Sequence, residues 1–236
     1  MKSGLSKYKD KLFSVLGDSV STLEGISEPA DAAFYSGINR IEAGVFGYTD
    51  TWWGKVIERL GGRLLVNNSF QGSTVIKHRL CEIPSYACSD ERTSALSADG
   101  KSPDLILVFM GMNDWGCGAR VTSDGEDEDP AFFSVAYRRM LTRLSENYPE
   151  ARTVCLTLPV TAKRGDAAFT FPYRHGGRHI EEYNAVIRAR AAEFSCLTAD
   201  IYNPDAPIEA FDGFHPTADG MNAIADAVIK AMLSDE

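Results

Sequence analysis

The chain has 236 residues and a mass of 25.8 kDa; 44% hydrophobic and 24% charged residues exclude collagen-like, disordered and disulfide-scaffold classes and allow the core of a single α/β domain over residues 1–236. A net charge of -9 and an isoelectric point near 5.0 argue against nucleic acid or anionic lipid as partner and for a small neutral or polar molecule. The longest strongly apolar run, residues 105–110, is too short for a membrane span, the charged N-terminal stretch lacks a secretory apolar core, and five scattered cysteines with no C-x-x-C pair suit reduced thiols in the cytoplasm better than disulfides or zinc.

Short β-prone runs alternate with helical patterns, which predicts βαβ units feeding a parallel sheet with helices on both faces. The first strand covers residues 12–16 and runs into Gly17-Asp18-Ser19. A glycine there permits a tight turn that leaves the serine hydroxyl at the sheet edge among free backbone donors, although a helix cap is the plainer role for such a serine. Residues 25–49 are glycine-rich and polar, without clear period. Asp50 or Thr51 caps a helix running to residue 60, with Trp52, Val56 and Leu60 on one stripe and Gly61-Gly62 as its stop. The second strand, residues 64–67, leads into Asn67-Asn68-Ser69-Phe70-Gln71-Gly72, and the third, residues 105–110, into Gly111-Met112-Asn113-Asp114. Gly72 could present a backbone N–H and Asn113 a side-chain amide to a developing oxyanion; each alone is ordinary turn chemistry.

After an acidic loop over 116–129, Asp129 before Pro130 predicts a helix start, and Phe133, Tyr137, Met140, Leu141, Leu144 and Tyr148 form its apolar stripe. A fourth strand is expected over 153–158, then a basic, aromatic loop over 163–177, a helix over 178–194 and a weaker strand over 196–201. The last helix is capped near Thr217 and carries Met221, Ile224, Ala225, Val228, Ile229 and Met232 at helical spacing. Loops 25–49, 116–129 and 163–177 are expected at the rim of a site, because open parallel sheets bind ligands beyond the carboxyl ends of their strands.

Just before the final helix stands Asp212-Gly213-Phe214-His215-Pro216. An aspartate three residues before a histidine can accept from its Nδ1 and leave Nε2 free as a base, which a serine hydroxyl needs if it is to attack near neutral pH. Ser19, His215 and Asp212 thus supply nucleophile, base and orienting carboxylate.

Gly17-Asp18-Ser19, Asn67 with Gly72, Gly111-x-Asn113-Asp114 and Asp212-x-x-His215-Pro216 resemble, in order and spacing, the four sequence blocks of the SGNH/GDSL hydrolases. The resemblance spans most of the chain. It implies a flavodoxin-like three-layer α/β/α sandwich around a central parallel sheet of about five strands, and a serine esterase that uses no metal or organic cofactor. Through it Ser19 is the nucleophile, His215 the general base and later acid, Asp212 the orienting carboxylate, and the N–H groups of Ser19 and Gly72 with the Asn113 amide the oxyanion hole. Asp18 and Asp114 are expected to be structural. Val20 stands where the motif has leucine and Gln71 where serine is frequent before Gly72; either could reshape the pocket.

Of the remaining residues, His78, His175 and His179 are expected to face solvent, and the acidic run 124–129 to be a solvated loop rather than a calcium site. Trp52 and Trp53 could be core or could stack on a sugar; Trp115 is the better candidate to contact substrate. Arg174, with Arg164 and Arg178, is expected either to meet an anionic substrate group or to pair with the acidic loop. The leading expectation is hydrolysis of a small-molecule short-chain acyl ester, such as an O-acetyl group on a carbohydrate, through an acyl-enzyme, with activity falling below about pH 6.5 as the base takes up its proton. If Phe169, Phe171 and Tyr173 instead lined an acyl channel, a lysophospholipase or thioesterase would result, and a noncatalytic ligand-binding module is the reading from another class. The sequence assigns no oligomeric state.

Overall fold

The computed structural model describes residues 7–77, 85–122 and 128–234. Five parallel strands form the central sheet: β1 (Leu12–Gly17), β2 (Arg63–Ser69), β3 (Leu105–Phe109), β4 (Arg152–Leu156) and β5 (Leu197–Ala199), in the spatial order β2-β1-β3-β4-β5. Every residue of β3 is buried, and of β1 all but the first, as strands covered on both faces require; that is why β3 reads as an unbroken apolar run and β1 as one interrupted only by Ser14, whose hydroxyl donates to Leu96 O at 2.8 Å. Gly17 lies level with Ser69 of β2 and Phe109 of β3, so the loops leaving these three strands start at one height. The order reverses between β1 and β3, which opens a crevice at their carboxyl ends.

Seven helices are described: α1 (Gly37–Ala43), α2 (Trp52–Leu60), α3 (Asp90–Ser94), α4 (Met112–Gly116), α5 (Phe133–Asn147), α6 (Ile180–Glu193) and α7 (Ala218–Ser234). The crossover from β1 to β2 and that from β3 to β4 run in opposite directions, so right-handed connections place α2 and α5 on opposite faces. α7 packs on α2 and α6 on α5, completing three layers. Among the described residues no helix is long and apolar enough to cross a membrane.

Local chemistry sets the helix starts. Thr51, rather than Asp50, caps α2 by accepting from the Gly54 N–H at 3.0 Å. The expected start at Pro130 moves to Phe133: Asp129 instead closes a turn, its Oδ1 accepting from Ala131 N at 3.0 Å, while the first donors of α5, Phe133 N and Ser134 N, go to Arg120 O and Val121 O. α6 starts at Ile180 rather than 178, because His179 Nδ1 accepts from Glu181 N at 3.1 Å and Glu182 Oε1 accepts from His179 N at 2.8 Å, a reciprocal cap. His179 is therefore a helix cap stacked on Tyr173, not a free surface histidine. Thr217 caps α7 as expected, its Oγ1 accepting from Gly220 N at 3.2 Å.

Two small pairings escape the sequence pattern: Thr161–Lys163 runs parallel to Ile208–Ala210, and Arg174–His175 pairs antiparallel with Arg178–His179. The second strand also extends through Ser69, since Asn67, Asn68 and Ser69 pair with Val15, Leu16 and Gly17. Among the described cysteines, Cys88, Cys155 and Cys196 are free thiols; Cys81 and His78 lie outside the described residues, as does most of the acidic run 124–129.

Candidate active site

Beyond β1 the chain enters a single 3-10 turn, Ser19–Ser21. A Cβ on Gly17 would sit 2.4 Å from Ser21 Cβ and 2.8 Å from Ser69 Oγ, so this approach of strand and turn admits only glycine. Asp18 caps the turn, its Oδ1 accepting from Val20 N at 3.0 Å. Two buried tryptophans hold the far end: Trp53 Nε1 donates to Ser21 O at 2.9 Å and Trp52 Nε1 to Ser21 Oγ at 3.1 Å, joined by Asn67 Nδ2 to Ser21 O at 2.9 Å. Trp52 and Trp53 are thus core residues that brace the turn. Ser19, 8% exposed, rides on this frame with its hydroxyl at the crevice.

The loop before α7 brings the histidine to it. Ser19 Oγ and His215 Nε2 are 3.0 Å apart, and His215 Nδ1 is 2.6 Å from Asp212 Oδ2. The other carboxylate oxygen, Oδ1, accepts from Phe214 N at 2.9 Å and His215 N at 2.7 Å. Burial alone would raise the Asp212 carboxyl, but the hydrogen bonds from the His215 side chain and backbone outweigh it and bring it down to about 2. A carboxylate that stays ionised keeps the proton on Nδ1, so Nε2 is the acceptor for the Ser19 hydroxyl.

Opposite stands the turn after β3. Gly111 has φ +125°, in the region that glycine alone enters easily, and it starts α4, which carries Asn113 and Asp114. Asn113 Nδ2 donates one proton to Ser73 O at 2.8 Å, which fixes the amide plane and leaves the second N–H to point elsewhere. Asp114 is fully buried and accepts from Val75 N at 2.8 Å and Ile76 N at 3.0 Å; burial raises its carboxyl to about 7 against those two bonds. Asp114 therefore ties the segment after β2 to the turn after β3, the structural part expected of it. Asp18 is likewise pushed up, to about 6, by burial, which the Val20 N–H and the nearby charges of His215 and Arg92 only partly offset.

Arg92, which the sequence reading passed over, gathers the ends of β1 and β2. The residue is 6% exposed, and its guanidinium donates to Gly17 O at 3.0 Å, Asn68 O at 2.8 Å and Ser73 Oγ at 2.7 Å. No motif marks it, because it sits on a helix of one turn and reaches its partners only through the tertiary fold.

A cavity of about 230 Å3 opens at the dyad, lined by Ser19, Val20, Met112, Asn113, Trp115, Gly116, His175, Phe214 and His215. Four residues expected at the site therefore share one cavity: Ser19, Asn113, Trp115 and His215. Gly72, at φ +72°, lies on the exposed turn before Ser73 and is not among the lining residues. Trp115 is a wall rather than a stacking platform: the residue is 1% exposed, its ring stacked on Phe171 and nearly perpendicular to the His175 ring. Arg174 is not among the lining residues and donates to Gly177 O at 3.2 Å; its neighbour His175, expected in solvent, takes the place at the wall, because the two-residue strand puts successive side chains on opposite sides. Arg178 pairs with Glu182 at 3.7 Å and Arg164 donates to Glu42 O, so neither binds the described part of the acidic loop. Phe169, Phe171 and Tyr173 are not among the residues lining this cavity: Phe169 packs against Gly213 and Phe214, and Phe171 between Trp115 and Tyr173. Among the described residues no three His, Cys, Asp or Glu side chains gather as a metal site.

The family model described as GDSL-like lipase/acylhydrolase matches residues 11–160 of this chain. A protein from Bacteroides ovatus described as a GDSL-like lipase is 25% identical, with a TM-score of 0.73 over 95% of this chain and 98% of its own. One of the same description from Bacteroides uniformis is 27% identical, with a TM-score of 0.71 over 96% and 97%. Est24, a carbohydrate acetylesterase from Sinorhizobium meliloti, shares the fold at 14% identity, with a TM-score of 0.63 over 94% of this chain and 97% of that one. No curated protein matches the chain.

Proposed function

The chain belongs to the GDSL-like lipase/acylhydrolase family and is an ester-hydrolysing enzyme, and from that premise we propose that it is a serine esterase for short acyl groups, working through an acyl-enzyme on Ser19. The observation that carries the reading is the line Ser19 Oγ, His215 Nε2, His215 Nδ1, Asp212 Oδ2, with steps of 3.0 and 2.6 Å. Ser19 Oγ attacks the ester carbonyl while His215 Nε2 takes its proton, and the imidazolium so formed is held by the Asp212 carboxylate. The tetrahedral intermediate expels the alkoxide, which leaves with the proton from Nε2. Water then enters, is deprotonated by the same nitrogen, and frees the acid from Ser19.

The oxyanion needs donors where charge develops. In the 3-10 turn, Val20 N and Ser21 N are engaged by Asp18 Oδ1 and Asp18 O, which leaves the Ser19 N–H for the oxyanion. The second Asn113 N–H is held in plane by the bond to Ser73 O, and the Gly72 N–H on the adjoining turn is the third donor of the proposal. Asn113→Ala is expected to lower kcat by about 10²–10³-fold with little change in KM, measured on p-nitrophenyl acetate. A loss below threefold would remove Asn113 from the oxyanion hole.

Acyl length follows from the cavity. At about 230 Å3, with Trp115 buried behind it, it falls under the range of about 300–1,000 Å3 usual for drug-sized ligands, which favours acetyl over long chains. That a carbohydrate acetylesterase is built on the same fold makes O-acetylated sugars the first natural class to assay. A p-nitrophenyl ester series from acetate to decanoate tests the reading: kcat/KM should be highest at acetate or propionate and fall steadily. A maximum at octanoate or decanoate would overturn the short-chain assignment.

A further inference from the structure

The ring of Phe34 lies flat on the imidazole of His215, with centroids 3.6 Å apart and planes 15° from parallel. Two neutral aromatic rings avoid such face-to-face overlap, because their quadrupoles present like charge to each other; offset and edge-on pairs are preferred. A cation over an aromatic face is attracted. The observed stack is therefore matched to imidazolium, the species His215 becomes during turnover when Ser19 or water gives up its proton to it, and an interaction stronger in that state than in the resting one lowers the barrier.

Phe34 is itself fixed to the nucleophile. Its N–H donates to Thr22 Oγ1 at 2.9 Å, and the Thr22 hydroxyl donates to Ser19 O at 2.8 Å. On the other side, the buried Tyr35 phenol donates to Pro216 O at 2.9 Å and packs edge-on against Phe34. One dipeptide in the period-free segment 25–49 thus grips the turn of the serine through its backbone and the loop of the histidine through its two rings.

We propose that Phe34 is the positioning residue of the base: it holds the His215 ring in line with Ser19 and stabilises the imidazolium formed in each half of the cycle. The inference rests on the serine hydrolase reading above. The groups facing His215 are Asp212 at Nδ1, Ser19 at Nε2, Phe34 on one face and Phe211 more distantly, at 6.4 Å between centroids. Asp18 acts on it electrostatically from behind the serine turn, and Tyr35, whose ionisation burial pushes far up, stays neutral behind Pro216.

The test uses Phe34→Leu, which removes the π face and keeps apolar bulk, and Phe34→Tyr, which restores the face. Phe34→Leu is expected to lower kcat by about fivefold at unchanged KM and to move the acid limb of kcat/KM down by about half a pH unit, with Phe34→Tyr returning both. An NMR titration of the His215 ring protons should show the same downward displacement in Phe34→Leu, and again in an Asp18→Asn background, where the nearby carboxyl no longer titrates. A His215 titration that superimposes on the parent in Phe34→Leu overturns the proposal, as does a displacement that vanishes once Asp18 is replaced. The NMR arm needs no turnover, so it decides the stack separately; failure of the parent protein to hydrolyse any ester would count against the hydrolase reading instead.

Discussion

Ser19→Ala is expected to reduce kcat by about 10⁴-fold or more while leaving the fold and its thermal midpoint essentially unchanged. The side chain loses one oxygen whose described partner is His215 Nε2 at 3.0 Å, whereas the turn is held by the Asp18 cap, the two tryptophan N–H groups and Thr22, none of which uses the Ser19 hydroxyl. Structure and chemistry are thus separable at this residue. Because nucleophile and base act as one unit, His215→Ala should cost about as much, and the double variant little more than either alone. Steady-state kinetics on p-nitrophenyl acetate, with circular dichroism as the control for folding, checks this. A Ser19→Ala protein that retains a tenth of the parent activity would mean the attack comes from elsewhere.

Asp212→Asn should be nearly as severe, at about 10⁴-fold in kcat, for a different reason. Oδ1 accepts the Phe214 and His215 backbone N–H groups, so the carbonyl oxygen of an asparagine stays on that side and its NH2 falls opposite Nδ1. Nδ1 must then accept, the ring proton moves to Nε2, and Nε2 can no longer take the proton of Ser19. The charge lost is one that stays ionised down to about pH 2 in the parent, where His215 and backbone donors outweigh the effect of burial. Loss of parent activity on mild acidification is therefore not a titration of Asp212. The variant should fold normally and bind substrate with similar KM; a kcat within tenfold of the parent would show that the ring needs no orienting carboxylate.

What could be read from the residues was local or strongly periodic. β1 and β3 are apolar because both faces are covered, and the Asp212–His215 contacts span three residues, so spacing alone carried them. Gly17 was legible as a turn glycine, but its reason is the approach of Ser21 and Ser69 rather than an unusual φ. The extension of β2 to Ser69 depends on a partner strand more than forty residues away in sequence, and the start of α5 depends on carbonyls of Arg120 and Val121; neither has a signal within its own segment. Arg92 and the Phe34–Tyr35 pair stayed hidden for the same reason. Their partners, Gly17, Ser73, His215 and Pro216, come together only when the chain is folded, and segment 25–49 has no period to announce its packing. The swap of Arg174 for His175 at the cavity turned on one residue of register in a two-residue strand, which alternation without a longer run cannot fix.

The covalent step is the centre of the account and can be read directly. Incubating the folded protein with an alkyl fluorophosphonate and mapping the adduct by peptide mass spectrometry should place a single phosphonate on the peptide containing Ser19, with labelling lost in Ser19→Ala and slowed in Asp212→Asn. Folded protein that hydrolyses acetate esters yet carries the adduct on another residue, or none, would contradict it.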